Sequence, residues 1–174
     1  MNFLKKISII VILFLTFQNN LYANIPYYLD FKYILNQSDA GKKAQNYLKK
    51  KLDNGIKKLK EKEKTIQAEE KKIIQQKKII SAEEYKKQVT ALRNKVSSLQ
   101  KERNTLLESV AKQRAKAKSE LLKNLNPIIQ DYMKEKKIRM VLDKKSLLLA
   151  DENLDITKDI ITNLNKKLKS IKLD

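Results

Sequence analysis

The chain contains no cysteine and no histidine, and it has only two glycines and two prolines in 174 residues. Without cysteine there is no disulfide framework and no thiolate to hold a metal or run a redox couple. Without histidine the commonest general base and the commonest metal ligand are both missing. Two isolated glycines, Gly41 and Gly55, cannot build a glycine-rich phosphate loop. Carboxylate pairs such as Glu69/Glu70 and Glu83/Glu84 are present, but adjacent helix positions point apart, so they read as solvated charges or caps. An enzyme is therefore not expected, and neither a metal nor a cofactor.

What the chain has in excess is lysine. The formal charge is +19, and of 39 basic residues only Arg93, Arg103, Arg114 and Arg139 are arginine. Residues 42–124 hold 25 Lys/Arg against 10 Asp/Glu, a net +15, while residues 24–41 carry −1 and residues 125–174 carry +3. Such a surface attracts anionic partners: nucleic acid, acidic lipid or acidic unfolded chains. Abundant Ile and Asn point also to an AT-rich genome, which would raise lysine without selection for binding.

Residues 1–23 read as a secretory signal. Lys5 and Lys6 precede an apolar run from Ile7 to Phe17, interrupted by Ser8 and Thr16, and Leu21-Tyr22-Ala23 offers cleavage after Ala23. The run is too short for an ordinary membrane span, although an uncleaved N-terminal anchor is the alternative. Export implies the periplasm, where nucleic acid is rarely met.

After Pro26, Tyr27 to Phe31 reads as a strand. Ser38 or Asp39 is placed to cap a helix that starts near Ala40. Leu52, Leu59, Ile66, Ile73 and Ile80 then fall seven apart, with Ile56 beside them and Glu63, Glu70 and Lys77 in the weaker alternate slots. A seven-residue interval keeps a narrow seam on one face only if the helix supercoils about a partner. Ser81 and Glu84 form a capping box, which marks a turn near 80–82. In the second helix Tyr85, Leu92, Leu99 and Leu106 alternate with Val89, Val96, Arg103 and Val110, Arg103 being the one polar intruder. Two such helices, 42–124 in all, fit an antiparallel hairpin on the order of 55–65 Å long at 1.5 Å per residue. Gly55 is a candidate weak point in its first helix.

Pro127 should break or kink the second helix, with Asn126 capping a further piece to about Lys136. Two strands, Ile138–Leu142 and Ser146–Ala150, should follow. Asp155 or Thr157 should cap a last helix from Thr157 to about Lys169, with Ile160, Ile161, Leu164 and Leu168 on one face. The fold expected is mostly α with a small β body: residues 24–41 and 125–174 supply the strands, and the helical hairpin is inserted between them. Three short strands are a thin body, and self-association is the simple remedy.

Three stretches carry a resemblance. YLDFKYILNQSDAGKKAQ (28–45), the charged hairpin, and MVLDKKSLLLADENLDITKDIITNLN (140–165) together resemble the periplasmic chaperone family Skp, also called OmpH-like. Asp155-Ile156-Thr157 is the most specific match. The chain departs from the pattern at Lys136-Lys137-Ile138-Arg139, where the family often has a glycine and an acidic residue before the closing strand. The resemblance implies a homotrimer with a shared body and three arms around a cavity. It also implies ATP-independent holding of unfolded outer-membrane proteins in transit. Tyr28, Leu29, Phe31, Val141, Leu142 and Leu148 are then candidates for body or trimer contact. Ile74, Ile79 and Leu107 fall beside the seams and are candidates for client contact, against ordinary hairpin packing, which their place beside a seam favours. Lysine suits such a role because its apolar stem lies against greasy segments while its charge attracts acidic ones. A structural coiled-coil envelope protein, or a binder of anionic lipid or lipopolysaccharide, is the alternative; a simple spacer would not need the terminal β segments.

Overall fold

A computed structural model describes residues 25–173; the signal segment and its cleavage after Ala23 lie outside the described residues. The chain is mostly helical around a two-stranded sheet. It begins with β1 (Tyr27–Leu29), which stops because Asp30 turns into a cap: its Oδ1 accepts the Tyr33 N–H at 2.7 Å and starts α1 (Phe31–Gln37). The strand thus ends two residues short of Phe31. Buried Ser38 ends α1 and caps α2 (Asp39–Gln76), its Oγ accepting from the Gly41 N–H at 3.2 Å. Gly41 is required at this elbow, since a Cβ there would lie 2.0 Å from the Leu35 carbonyl oxygen.

A turn over residues 77–81 leads to α3 (Ala82–Glu135), capped by Ser81 Oγ accepting from the Glu84 N–H at 3.2 Å. Ser81 is the cap its sequence signal suggests, while the turn spans 77–81 and so begins a few residues before the expected 80–82. The two helices run antiparallel. Near the base Lys51 Nζ donates to Ser109 Oγ and Gln113 Oε1, both at 3.0 Å; midway Lys62 pairs with Glu102 at 2.6 Å; towards the tip Lys95 pairs with Glu69 at 2.6 Å. Leu59 and Val110 are buried between them, while Leu52, Ile66, Ile73, Leu92, Leu99 and Leu106 are only half-buried. That is what two helices with one shared face must give. Gly55 is a close-packing point and not a free hinge: a Cβ there would fall 2.4 Å from Leu106 Cδ2.

Pro127 neither ends α3 nor starts a new piece at Asn126; α3 runs through it to Glu135. Pro127 itself is exposed, but Leu121, Leu125 and Ile128 around it are at most 2 % exposed. Burying those side chains, worth roughly 1.5–3 kcal/mol each, outweighs the roughly 3 kcal/mol that an interior proline costs. Asn124 Nδ2 also donates to the Glu120 carbonyl at 2.7 Å. The helix ends at Lys137, whose φ is 56°, the left-handed region. The Ile138 N–H reaches the Met133 carbonyl at 2.8 Å and the Lys137 N–H the Lys134 carbonyl at 3.3 Å, the paired bonds of a Schellman cap.

β2 (Val141–Asp143) then pairs with β1 in parallel, with Tyr27 opposite Val141, Tyr28 opposite Leu142 and Leu29 opposite Asp143. The whole helix pair is the crossover between them. The expected second strand, Ser146–Ala150, does not form. Asp143 Oδ1 accepts from the Lys145 N–H at 3.2 Å and opens a 3₁₀ turn over Lys144–Ser146. Leucines at 147, 148 and 149 would load both faces of a strand, which needs cover on both faces, and Leu148 and Leu149 stand 97 % and 90 % exposed. The third contribution to the sheet comes instead from Asp155, which bridges the other edge of β1 through an Ile156 N–H to Tyr28 carbonyl bond of 2.9 Å. The last helix, α4 (Thr157–Lys167), has neither Asp155 nor Thr157 at its cap: Ile156 holds that position without a side-chain bond, and Asp155 Oδ1 accepts the Thr157 N–H at 2.9 Å in the turn just before it. The core lies where α1, α3 and α4 meet: Ile34, Leu121, Leu125, Ile160 and Leu164 are 0–1 % exposed.

Candidate functional site

The surface with a net charge to use is that of α2 and α3, which carry nearly all of the +15 section. Their cations are paired sparingly. Lys62–Glu102, Lys95–Glu69 and Arg103–Glu63 cross between the helices, all with side chains a third or more exposed. Pairs this wet contribute about 0–1 kcal/mol each; they set register more than stability. Most of the other lysines on these helices are exposed.

Apolar side chains are left among those lysines. Ile79 at the tip is 81 % exposed, Ile74 59 % and Leu107 52 %. Ordinary seam packing, the reading that their position favoured, does not hold for these three. Ile79 sits in the tip turn, after the Gln76 carbonyl that accepts its N–H at 2.9 Å. Ile74 and Leu107 each lie one position past a seam residue, Ile73 and Leu106. A two-helix pair buries one narrow stripe, and one step from it is about 100° around the helix.

The six body candidates divide. Tyr28 and Leu29 are 4 % and 5 % exposed and belong to the chain's own core, with Phe31 and Val141 packed against it. Leu142 is half-buried. Of the six, Leu148 alone is fully exposed, as is Leu149 next to it in sequence; Met140, just before β2, is 54 % exposed.

The Asp155-Ile156-Thr157 motif is a clasp between the two ends of the fold. Thr157 Oγ1 donates to Asp155 Oδ1 and accepts the Asp30 N–H at 2.8 Å, while Ile156 bonds to β1 on the other side. A polar hollow of about 500 Å³ beside it is lined by Tyr28, Asp30, Lys144, Glu152 and Lys158 among others. Nearby, Tyr132 donates to Asp159 Oδ2 at 2.5 Å; burial of the ring and this carboxylate together push the phenol up to about 12. Among the described residues no group of three His, Cys, Asp or Glu is arranged to hold a metal ion, and no helix is long and apolar enough to cross a membrane.

One element was given no role by the sequence reading: the tail after α4. Leu173 is 3 % exposed against Ala44, Leu48 and Ala117, and Ile171 packs beside it. The signal available was the alternation Ile171-Lys172-Leu173, too short to read alone.

The chain is similar in fold to a protein from Caulobacter crescentus CB15 described as an outer membrane chaperone of the OmpH-like kind. The TM-score is 0.80 at 22 % identity, over 86 % of this chain and 90 % of the other. No curated protein sequence matches the chain. The family model of OmpH-like outer membrane proteins matches residues 27–164, from β1 to the last buried leucine of α4. That span takes in the clasp, the helix pair and the sheet together, and the chain belongs to the OmpH-like family.

Proposed function

We propose that this chain is an ATP-independent holdase of the periplasm, which binds unfolded outer-membrane proteins between basic helical arms and keeps them from aggregating. The observation that carries the reading is the coexistence of a net excess of lysine with the exposed Ile74, Ile79 and Leu107 on one helix pair. A solvated spacer has no use for exposed isoleucine. A surface that is both cationic and apolar attracts acidic segments over about a Debye length, roughly 8–10 Å, and then holds greasy ones by lysine stems and scattered aliphatics. Binding of this kind is diffuse and multivalent. Release follows by mass action as the client folds into its membrane. The periplasmic setting rests on the signal-like start, and family membership supports a chaperone role.

A homotrimer completes the reading. Two three-residue strands are too small to stand alone, and the exposed Met140, Leu148 and Leu149 are apolar side chains that other copies would cover. Sedimentation of the protein should give three chains, and Leu148→Asp with Leu149→Asp should dissociate them. A stable monomer in the parent protein overturns the shared body.

The direct test is to dilute an unfolded outer-membrane β-barrel protein from urea and follow light scattering. Suppression at stoichiometric protein is expected, weakening as salt rises. Undiminished scattering sinks the holdase reading. A salt-independent effect would assign the lysines to composition. A second reading, binding of anionic lipid or lipopolysaccharide, is favoured by Ile79 standing 81 % exposed directly after Lys77 and Lys78. Sedimentation with anionic and neutral vesicles separates it from the first.

A further inference from the structure

Where the helix pair joins the body there is a cavity of about 600 Å³. Ala44, Leu48, Leu52, Val110, Ala117 and Leu121 line it, with Lys49, Arg114 and Lys118 also on its border. The two alanines face each other's helix and open a notch that larger side chains would close. One end of this apolar groove is already filled, and what fills it is the chain's own tail. Leu173 is buried on Ala44, Leu48 and Ala117, and Ile171 lines the cavity itself. Between and before them Lys172 and Ser170 are exposed.

The tail shows what chemistry the groove accepts. Its residues alternate in and out, as along an extended chain. Gln113 Nε2 donates to the Leu173 backbone carbonyl at 2.7 Å, and Gln113 is itself held by Lys51 Nζ on its Oε1 at 3.0 Å. A side-chain amide that reads a backbone carbonyl recognises any extended chain, whatever its sequence. The groove supplies the apolar contacts at alternate positions, and the three cations favour acidic residues between them. Lys169 and Asp39, 3.0 Å apart at the rim, add a single exposed ion pair that holds the tail loosely. The tail from Leu168 to Leu173 also lies beyond the residues matched by the family model.

We propose that this groove docks an extended, strand-like client segment with alternating apolar and acidic residues, and that the tail is its resident stand-in, displaced when a client arrives. The proposal rests on the holdase reading for the source of the segment and names a site for it. A tail that occupies the groove reduces the apparent affinity to the intrinsic affinity multiplied by the fraction of time the groove is open.

The test is fluorescence anisotropy with a labelled ten-residue peptide of alternating leucine and glutamate. A peptide of the same composition, with its leucines gathered at one end, is the control. The protein is compared with the Ile171→Ser/Leu173→Ser variant and with a chain ending after Leu168. Both tail variants should bind the alternating peptide at least about fivefold more tightly, with the control peptide unchanged. Should the truncated chain lose its helical circular dichroism, the double serine variant carries the comparison. Equal or weaker binding of the alternating peptide in the folded tail variants overturns the proposal, as does an equal gain for the control peptide. Aggregation suppression with no such gain strikes the groove alone; a gain with no suppression of aggregation strikes the holdase reading alone.

Discussion

Arg103 and Glu63 face each other across the helix pair, Nη2 to Oε2 at 3.9 Å. Arg103 is the one polar residue in its heptad stripe of α3, and Glu63 is the first of the polar residues, with Glu70 and Lys77, in the weaker stripe of α2 and the turn after it. Read separately they are flaws in two seams. Together they are one interhelical pair that matches the helices in a single register.

This pair should specify more than it stabilises. Both side chains are nearly half exposed, so a double-mutant cycle in urea should give a coupling below about 1 kcal/mol. Replacing both by leucine should raise the melting temperature, since two wholly apolar side chains then join the seam. A lower melting temperature for Glu63→Leu/Arg103→Leu would show that the pair contributes as a buried one would.

The two glycines should respond differently to alanine. At Gly41 the obstacle is the Leu35 carbonyl, which cannot move without the elbow, and Gly41→Ala should cost about 2 kcal/mol or more. At Gly55 the obstacle is the end of the Leu106 side chain. Its rotation is offset by the better helix propensity of alanine, roughly 1 kcal/mol, so Gly55→Ala should stay within about 1 kcal/mol of the parent. Urea unfolding measures both, and equal losses would contradict this reading.

Lys137→Gly should stabilise the protein by about 1 kcal/mol, the cost of a left-handed residue with a Cβ. The Schellman bonds on either side hold Lys137 in that conformation against its preference. Lys137→Ala should give no such gain, which separates backbone relief from loss of the lysine charge.

Thr157→Val keeps the side-chain shape but strips the hydroxyl that joins Asp155 to the Asp30 N–H. The Asp30 N–H and the Asp155 carboxylate then lose that partner in a largely buried place, at a cost of about 1–3 kcal/mol. Thr157→Ser should recover most of it. Chemical denaturation reads the difference, and a neutral Thr157→Val would remove the clasp from the account of stability.

Tyr132 sets a pH dependence at the alkaline end. Its phenol is raised from 10.0 to about 12 by burial and by Asp159. The neutral form is therefore favoured by folding, and its contribution is fully present below pH 10 and is lost as pH rises towards 12. Absorbance at 295 nm should show one tyrosine titrating late in the folded protein. Tyr132→Phe should remove that step, and its stability deficit should shrink across the same window.

Much of the helix pair was legible because a seven-residue repeat admits few geometries. Leu52, Leu59, Ile66 and Ile73 against Leu92, Leu99 and Leu106 specify one shared face, and Ser81 marks the turn by its own hydrogen bond. The body was less legible for a physical reason. Strands of three residues have no periodicity to read; their ends are set by single local side chains and their pairing by segments far along the chain. Asp30 ends β1 through the Tyr33 N–H and Asp143 ends β2 through the Lys145 N–H, whereas Asp155 bridges to Tyr28 from the far end of the chain and Thr157 holds the Asp30 N–H from 127 positions away. Pro127 misled because a local rule met a buried cluster that outweighed it. At the candidate sites, the residues beside the seam were found by spacing, but their exposure follows from how few helices there are to cover them. The tail was missed because its two apolar residues have meaning only against Ala44 and Ala117.

The parallel pairing of β1 with β2 has a consequence for the order of folding. Tyr27–Leu29 is among the first described segments of the chain, yet its partners at Val141–Asp143 and Asp155 are among the last. The body cannot close on a growing or threading chain until nearly all of it has arrived, and the loop to be closed is long. The helix pair has no such wait: its contacts are nested about the turn at 77–81 and zip from the tip inward. The parts richest in lysine are thus structured first. The strand end stays unpaired longest, and β1 remains open on both edges until the last segments of the chain reach it.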